Sequence, residues 1–105
     1  CGIATLTLLD MVTSKLLANS DRWRDDAVFS RDLIDLAMME PNRKLMQVAM
    51  AKAEKAYGHS IRQDLNKAIN RMQTEDSWME RCMQALSIDI PKALLWQKIR
   101  QVTPH

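Results

Sequence analysis

Lys15 falls on or at the edge of an apolar helix stripe, and Arg31-Asp32-x-x-Asp35 opens an otherwise apolar segment, RDLIDLAMM. Charged groups set into apolar faces cost free energy unless they are paired or used. An acid and a lysine converging on one cleft suit phosphoryl or nucleotidyl transfer. The acid orients a reacting group or a metal ion, and the ammonium neutralises phosphate charge. Lys15, Arg31, Asp32 and Asp35 are therefore where chemistry is to be sought.

Each of these residues also has a purely structural reading. Around a helix Lys15 lies near Leu8 and between Met11 and Val12. Its stem can cover the core while its ammonium reaches water. Alternatively it is held inward to meet a phosphate. Asp32 sits near a helix N-terminus, where the macrodipole favours an anion. Asp35 shares its face at i+3 but lies in the second turn, so the dipole explains it less well. Leu33, Ile34, Leu36, Ala37 and Met38 cover most of the remaining circumference. A helix that apolar is buried on several sides, so its acids point into a cleft or pair with Arg31, Arg22, Arg24 or Lys15.

Other chemistry finds little support. His59 has no second histidine or cysteine at ligand spacing and reads as a surface or interface residue. Cys1 and Cys82 form neither a metal site nor a disulfide framework, and free thiols fit a reducing cytoplasm. There is no Gly-rich phosphate loop and no nucleophile–histidine arrangement. A net charge of +2 is too small to mark a nucleic-acid footprint by itself. No apolar run approaches the ~20 residues of a membrane span.

The elements that must position these residues read as helices. Two glycines and three prolines in 105 residues, with no hairpin signal, give an all-α domain of five or six helices. The first helix is expected over about Ala4 to Ala18, stopped by Asn19-Ser20-Asp21. Arg22 to Asp26 reads as a solvated charged segment. Ser30 is the expected N-cap of the Arg31–Met39 helix. Pro41 opens a long helix to about Gln73, with Met46, Met50, Ala53, Tyr57, Ile61, Leu65, Ala68 and Met72 on one face. Gly58 within it marks a kink, a close crossing or a break. Thr74 to Ser77 caps a helix from Trp78 to about Leu86, and Pro91 opens the last. Trp23, Trp78 and Trp96 read as core anchors. The methionine stripe reads as core. Because the chain starts with Cys1 and is apolar from Ile3, it is expected to be part of a larger protein.

LLDMVTSKLLANSDR followed by SRDLIDLAMM resembles the C-terminal region of the AbiEii/AbiGii-type nucleotidyltransferases, the enzyme halves of abortive-infection and toxin–antitoxin systems. Asp10, Lys15, Leu16, Ala18, Arg22, Arg31, Asp32, Asp35 and Leu36 stand in the matching order. Beyond Met39 the likeness is only that of generic helical sequence. The resemblance implies a helical C-terminal lobe that closes over a nucleotide held by an N-terminal lobe with a Gly-Ser motif and metal-binding acids. It implies that Lys15 and Arg31 bind nucleotide phosphate, with Asp32 and Asp35 as the catalytic acids of the cleft wall. Mg²⁺ and a nucleoside triphosphate are implied for the intact protein, tRNA as an acceptor, and a cognate antitoxin as a partner. The Gly-Ser motif is absent here, so this chain is expected to be inactive alone and to hold no metal. A cytoplasmic location goes with this reading.

Two other readings remain open at this point. The ligand-binding and dimerisation domain of a TetR-like regulator would enclose an apolar pocket among the methionines. A small helical adaptor would leave Met46, Tyr57 and Ile61 exposed to a protein partner.

Overall fold

Residues 7–75 and 77–103 are described by the computed structural model. Among them the chain forms six α-helices and no strand: α1 (Leu8–Arg22), α2 (Arg31–Met38), α3 (Arg43–Tyr57), α4 (Ser60–Thr74), α5 (Trp78–Ala85) and α6 (Lys92–Gln101). A single 3₁₀ turn, Asp26–Val28, lies between α1 and α2. The all-α class and the expected helix number agree with this.

α1 is the central element, packing against α2, α3 and α4. Val12 and Leu16 supply its fully buried side chains. Thr7 caps it, its Oγ1 accepting from Asp10 N at 3.1 Å. Any helix start at Ala4 lies outside the described residues. The expected stop is corrected: the helix does not end at Ala18 but continues to Arg22. Asn19 is buried, Ser20 Oγ donates to the Asp64 carboxylate on α4, and Trp23 N donates to Asn19 O at 2.8 Å. These contacts outweigh the few tenths of a kcal/mol by which Asn, Ser and Asp disfavour a helix.

α2 is buried on most of its circumference, through Asp32, Leu33, Ile34, Leu36 and Ala37. It packs on α1 and on α6. Ser30 does not cap it through its side chain. Its backbone is left-handed (φ 53°) and its Oγ accepts from Trp78 Nε1 at 3.0 Å instead. Burying the indole nitrogen required an acceptor, and Ser30 supplies it. Ser77 likewise precedes α5 in a left-handed conformation, with no side-chain cap.

The stretch from Pro41 to Gln73 is two helices rather than one. Asn42 caps α3, its Oδ1 accepting from Leu45 N at 2.7 Å. α3 ends at Gly58, whose φ of 96° and ψ of −172° suit glycine alone. Gly58 N still donates to Glu54 O, closing α3 before α4 begins. Met46, Met50 and Ala53 on α3, and Ile61, Leu65, Ala68 and Met72 on α4, are all buried as their spacing requires. Tyr57 departs from that spine, at 57 % exposed, because the chain turns just after it. With Met46 and Ile61 buried, the continuous exposed stripe that an adaptor would need is missing.

α5 adds Trp78, Met79 and Cys82 to the core, and α6 adds Leu95 and Ile99. Trp78 stacks on Phe29 with ring centroids 5.9 Å apart. Of the three tryptophans only Trp78 is a buried anchor. Trp23 and Trp96 are half-buried and pack on the core edge.

Two outcomes follow. A Cβ at Gly58 would meet open space, so only the backbone conformation resists a side chain. Gly58→Ala is expected to cost about 1–3 kcal/mol in denaturant unfolding, with the m-value unchanged. Burial pushes the Cys82 thiol from its ordinary 9.0 up to about 11. The native state then keeps its proton where the unfolded chain has lost it. The associated stability, about 2–3 kcal/mol, is present in full below pH 9 and is lost as pH rises towards 11. Unfolding curves across that range should show this decline, and Cys82→Ala should flatten it.

Candidate functional site

The polar residues singled out in the sequence converge on the seam between α1 and α2. Lys15 is on the third turn of α1, and Arg22 is two turns further on at its C-terminal end. Asp32 and Asp35 are on successive turns of α2. Val12 and Leu16 on α1 and Leu33 and Leu36 on α2 are buried in one core, and the packing of the two helices brings these polar groups together at its margin.

The seam has a buried half and an open half. Asp32 is 3 % exposed and is held bidentately, with Arg22 Nη2 donating to Oδ1 at 2.8 Å and Nε to Oδ2 at 3.1 Å. This two-pronged geometry is the strongest arrangement a guanidinium and a carboxylate can adopt. Lys15 Nζ lies 4.0 Å from Asp32 Oδ1 and donates to Asp35 Oδ2 at 2.8 Å. Arg31 Nε stands 3.9 Å from the same Asp35 oxygen. Lys15 and Asp35 are each about one-third exposed, and Arg31 about two-thirds. Three cations thus share two carboxylates, and the residual positive charge faces solvent through Lys15, Arg31 and the half-exposed Arg22. The lysine is neither simply snorkelling nor sealed in.

All four candidate residues, Lys15, Arg31, Asp32 and Asp35, therefore belong to one charged cluster. Arg22 joins them, which corrects the reading of Arg22 to Asp26 as merely solvated. Asp26 departs from it too, because it accepts from the Arg71 guanidinium. Arg22 was one of four possible partners for the α2 acids, but a basic residue ten positions before Asp32 gave no periodic signal that would single it out.

Arg71 is the residue the sequence reading missed. It is buried on α4, bonded to Asp26 and Glu75, and donates from Nη1 to Trp23 O at 3.3 Å. Its guanidinium lies 3.8 Å over the Trp78 ring. Burial pulls its pKa down, but the bonds to Glu75 and Asp26 together hold it above the ordinary arginine value. The signal was present in part: Glu75 stands at i+4, and Arg71 is three residues past the core Ala68. This network pins the chain between α1 and α2 to α4, and so fixes where Arg22 leaves α1.

Among the described residues no group of three or more metal-ligating side chains is formed. None of their helices is long and apolar enough to cross a membrane. His59 is exposed at the start of α4. An open cavity of about 200 Å³ among α3, α4 and the end of α6 contains Met46 and Met50, but also Arg43 and Arg62. It is not the enclosed apolar pocket that a regulator's effector domain would need.

Neither the curated proteins nor the solved structures give a match to this chain. A family model described as nucleotidyl transferase AbiEii toxin, type IV TA system, matches residues 1–100. The match runs through α3, α4 and α5 and nearly all of α6, well past the segment that carried the resemblance. The chain belongs to the AbiEii nucleotidyl transferase toxin family.

Proposed function

We propose that this chain forms the helical wall of a nucleotidyltransferase against which the triphosphate of a nucleoside triphosphate is held. The observation that supports this most directly is Lys15, its ammonium bonded to Asp35 and near Asp32 while a third of the side chain stays open. An ammonium so placed can exchange a carboxylate oxygen for a phosphate oxygen by a small side-chain rotation. Arg31, more exposed and beside the same oxygen, adds a second cation. Membership of a nucleotidyl transferase family supports reading that anion as the phosphate of a nucleotide.

The roles of the residues divide by burial. Asp32, bonded to Arg22, acts as a positioning residue that fixes α1 against α2. Asp35 orients Lys15 and, once phosphate takes the ammonium, is free to accept a bond from the nucleotide or acceptor. The reaction is in-line transfer, in which an acceptor oxygen attacks the α-phosphorus and pyrophosphate leaves. Lys15 and Arg31 offset the charge developing on the phosphate oxygens. Mg²⁺ would assist that chemistry when bound, but the two carboxylates of the seam do not fit it. Both are engaged by cations, Asp32 by Arg22 and Asp35 by Lys15. In this proposal the metal is held by an N-terminal lobe, and this chain is inactive without it. RNA, tRNA in particular, is the proposed acceptor. The toxin–antitoxin setting of the family makes a cognate antitoxin the proposed protein partner. The proposed location is the cytoplasm.

Two outcomes are expected in the full gene product. Lys15→Ala should lower the rate of nucleotidyl transfer about 10²-fold, the usual effect of removing one preorganised charge donor, with thermal unfolding close to wild type. Transfer at the wild-type rate in that variant would remove the proposal. Arg22→Ala strands the Asp32 carboxylate. It should cost about 2–4 kcal/mol in chemical denaturation, and the double variant with Asp32→Asn should recover part of that loss. Strict additivity in this pair would show that the bidentate bond does not hold the seam.

A further inference from the structure

Two tryptophans that the core does not fully absorb flank the outer face of α4. Trp23, at the C-terminal end of α1, is half-buried. The Arg24 guanidinium carbon lies 5.7 Å, and Lys67 Nζ 5.9 Å, from its ring centroid. Trp23, Arg24 and Lys67 line a groove of about 360 Å³ that reaches Asn70. On the other side of Asn70 a second groove, of about 410 Å³, holds Trp96 and Arg100. The α4 ridge between the two indoles carries amides, Asn66, Asn70 and Gln73, all exposed.

The charges on this face are uneven. Arg24, Lys67 and Arg100 form no ion pair among the described residues, as is also true of Arg43, Lys44, Lys55 and Arg81, whereas Arg71 at the edge of the first groove is paired with Asp26 and Glu75. Glu75 also borders the first groove, but its carboxylate is taken by Arg71. What sets this face apart is the arrangement: three cations outside any ion pair, two of them against the Trp23 ring, interleaved with two indoles and three amides.

We infer that this face binds a single-stranded segment of RNA, with bases stacking on Trp23 and Trp96 and phosphates held by Arg24, Lys67 and Arg100. Indole faces accept any base, and cations track the backbone. The amides of the ridge can meet base edges that are free only when the strand is unpaired. A duplex keeps its bases stacked on one another and cannot use the indoles. The inference deepens the reading above that the acceptor is RNA. It assigns the acceptor to a surface that shares no residue with the Lys15 seam, so the two can fail separately.

The test is fluorescence anisotropy of a labelled 12-nucleotide single-stranded RNA titrated with the 105-residue chain at two salt concentrations. Binding should exceed that of the matching duplex. Trp23→Ala should weaken it about tenfold, the loss of one stacked base. Lys67→Glu and Arg24→Glu, at exposed positions that the fold does not need, should weaken it and flatten its salt dependence. Lys15→Ala should leave it unchanged. Equal affinity for the duplex, or unaltered affinity in the Lys67→Glu and Arg24→Glu chains, would overturn the inference. So would binding of polyglutamate as tight as that of RNA, which would give the face to an acidic protein. An inactive Lys15→Ala gene product that still binds the oligonucleotide would support both assignments. Wild-type activity there, with oligonucleotide binding retained, would remove only the nucleotide reading.

Discussion

Everything distinctive in this fold depends on keeping one carboxylate, that of Asp32, almost fully out of water. An unpartnered carboxylate in such a place would cost several kcal/mol and work against the packing of the two helices. Arg22 offsets that cost with two parallel bonds. To supply them α1 must run on to Arg22, and the chain after it must turn back so that α2 begins beneath it. Arg71 arranges that turn by binding Asp26 and the Trp23 carbonyl from α4. Two buried charges, Asp32 and Arg71, thus link three helices, and the position of Lys15 beside Asp35 is a by-product.

The apolar contacts do a different job. Ala49 and Ala53 on α3 are fully buried, as is Ala68 on α4, and such small side chains let neighbouring helices come close. Longer residues, Leu16, Leu33, Leu65 and Leu95, fill the centre. Packing of this sort stabilises the bundle, but would tolerate some sliding of α2 along α1. The paired charges at the seam restrict that sliding, because a bidentate bond has one satisfactory alignment. Stability and alignment are thereby assigned to different residues.

The helices were legible in the sequence because their apolar residues recur at three and four. The all-α class and the burial of seven of the eight spine positions followed from that spacing. What escaped were features decided by distant partners. Nothing local to Asn19-Ser20-Asp21 reveals that Asp64 on α4 will bond Ser20 and carry the helix past its own stop signals. Ser30 has the composition of a cap but serves a tryptophan 48 residues away. Gly58 left three possibilities open, and its dihedral angles decided for the break. In the candidate site, charges on apolar faces were the legible signal and drew Lys15, Asp32 and Asp35 together. Arg22 and Arg71 were less legible, since a long side chain can satisfy a carboxylate from many sequence positions.

The bond from Lys15 to Asp35 has one more consequence. The attraction between an exposed ammonium and a phosphate is screened by mobile ions, so it weakens as salt is added. Lys15 carries its counter-ion covalently on α2 instead. On the proposed role, a phosphate arriving there exchanges one tethered anion for another and liberates few ions to the bulk. Such an ammonium gives up some intrinsic affinity and in return contributes less of the salt dependence of nucleotide binding than the exposed Arg31 beside it.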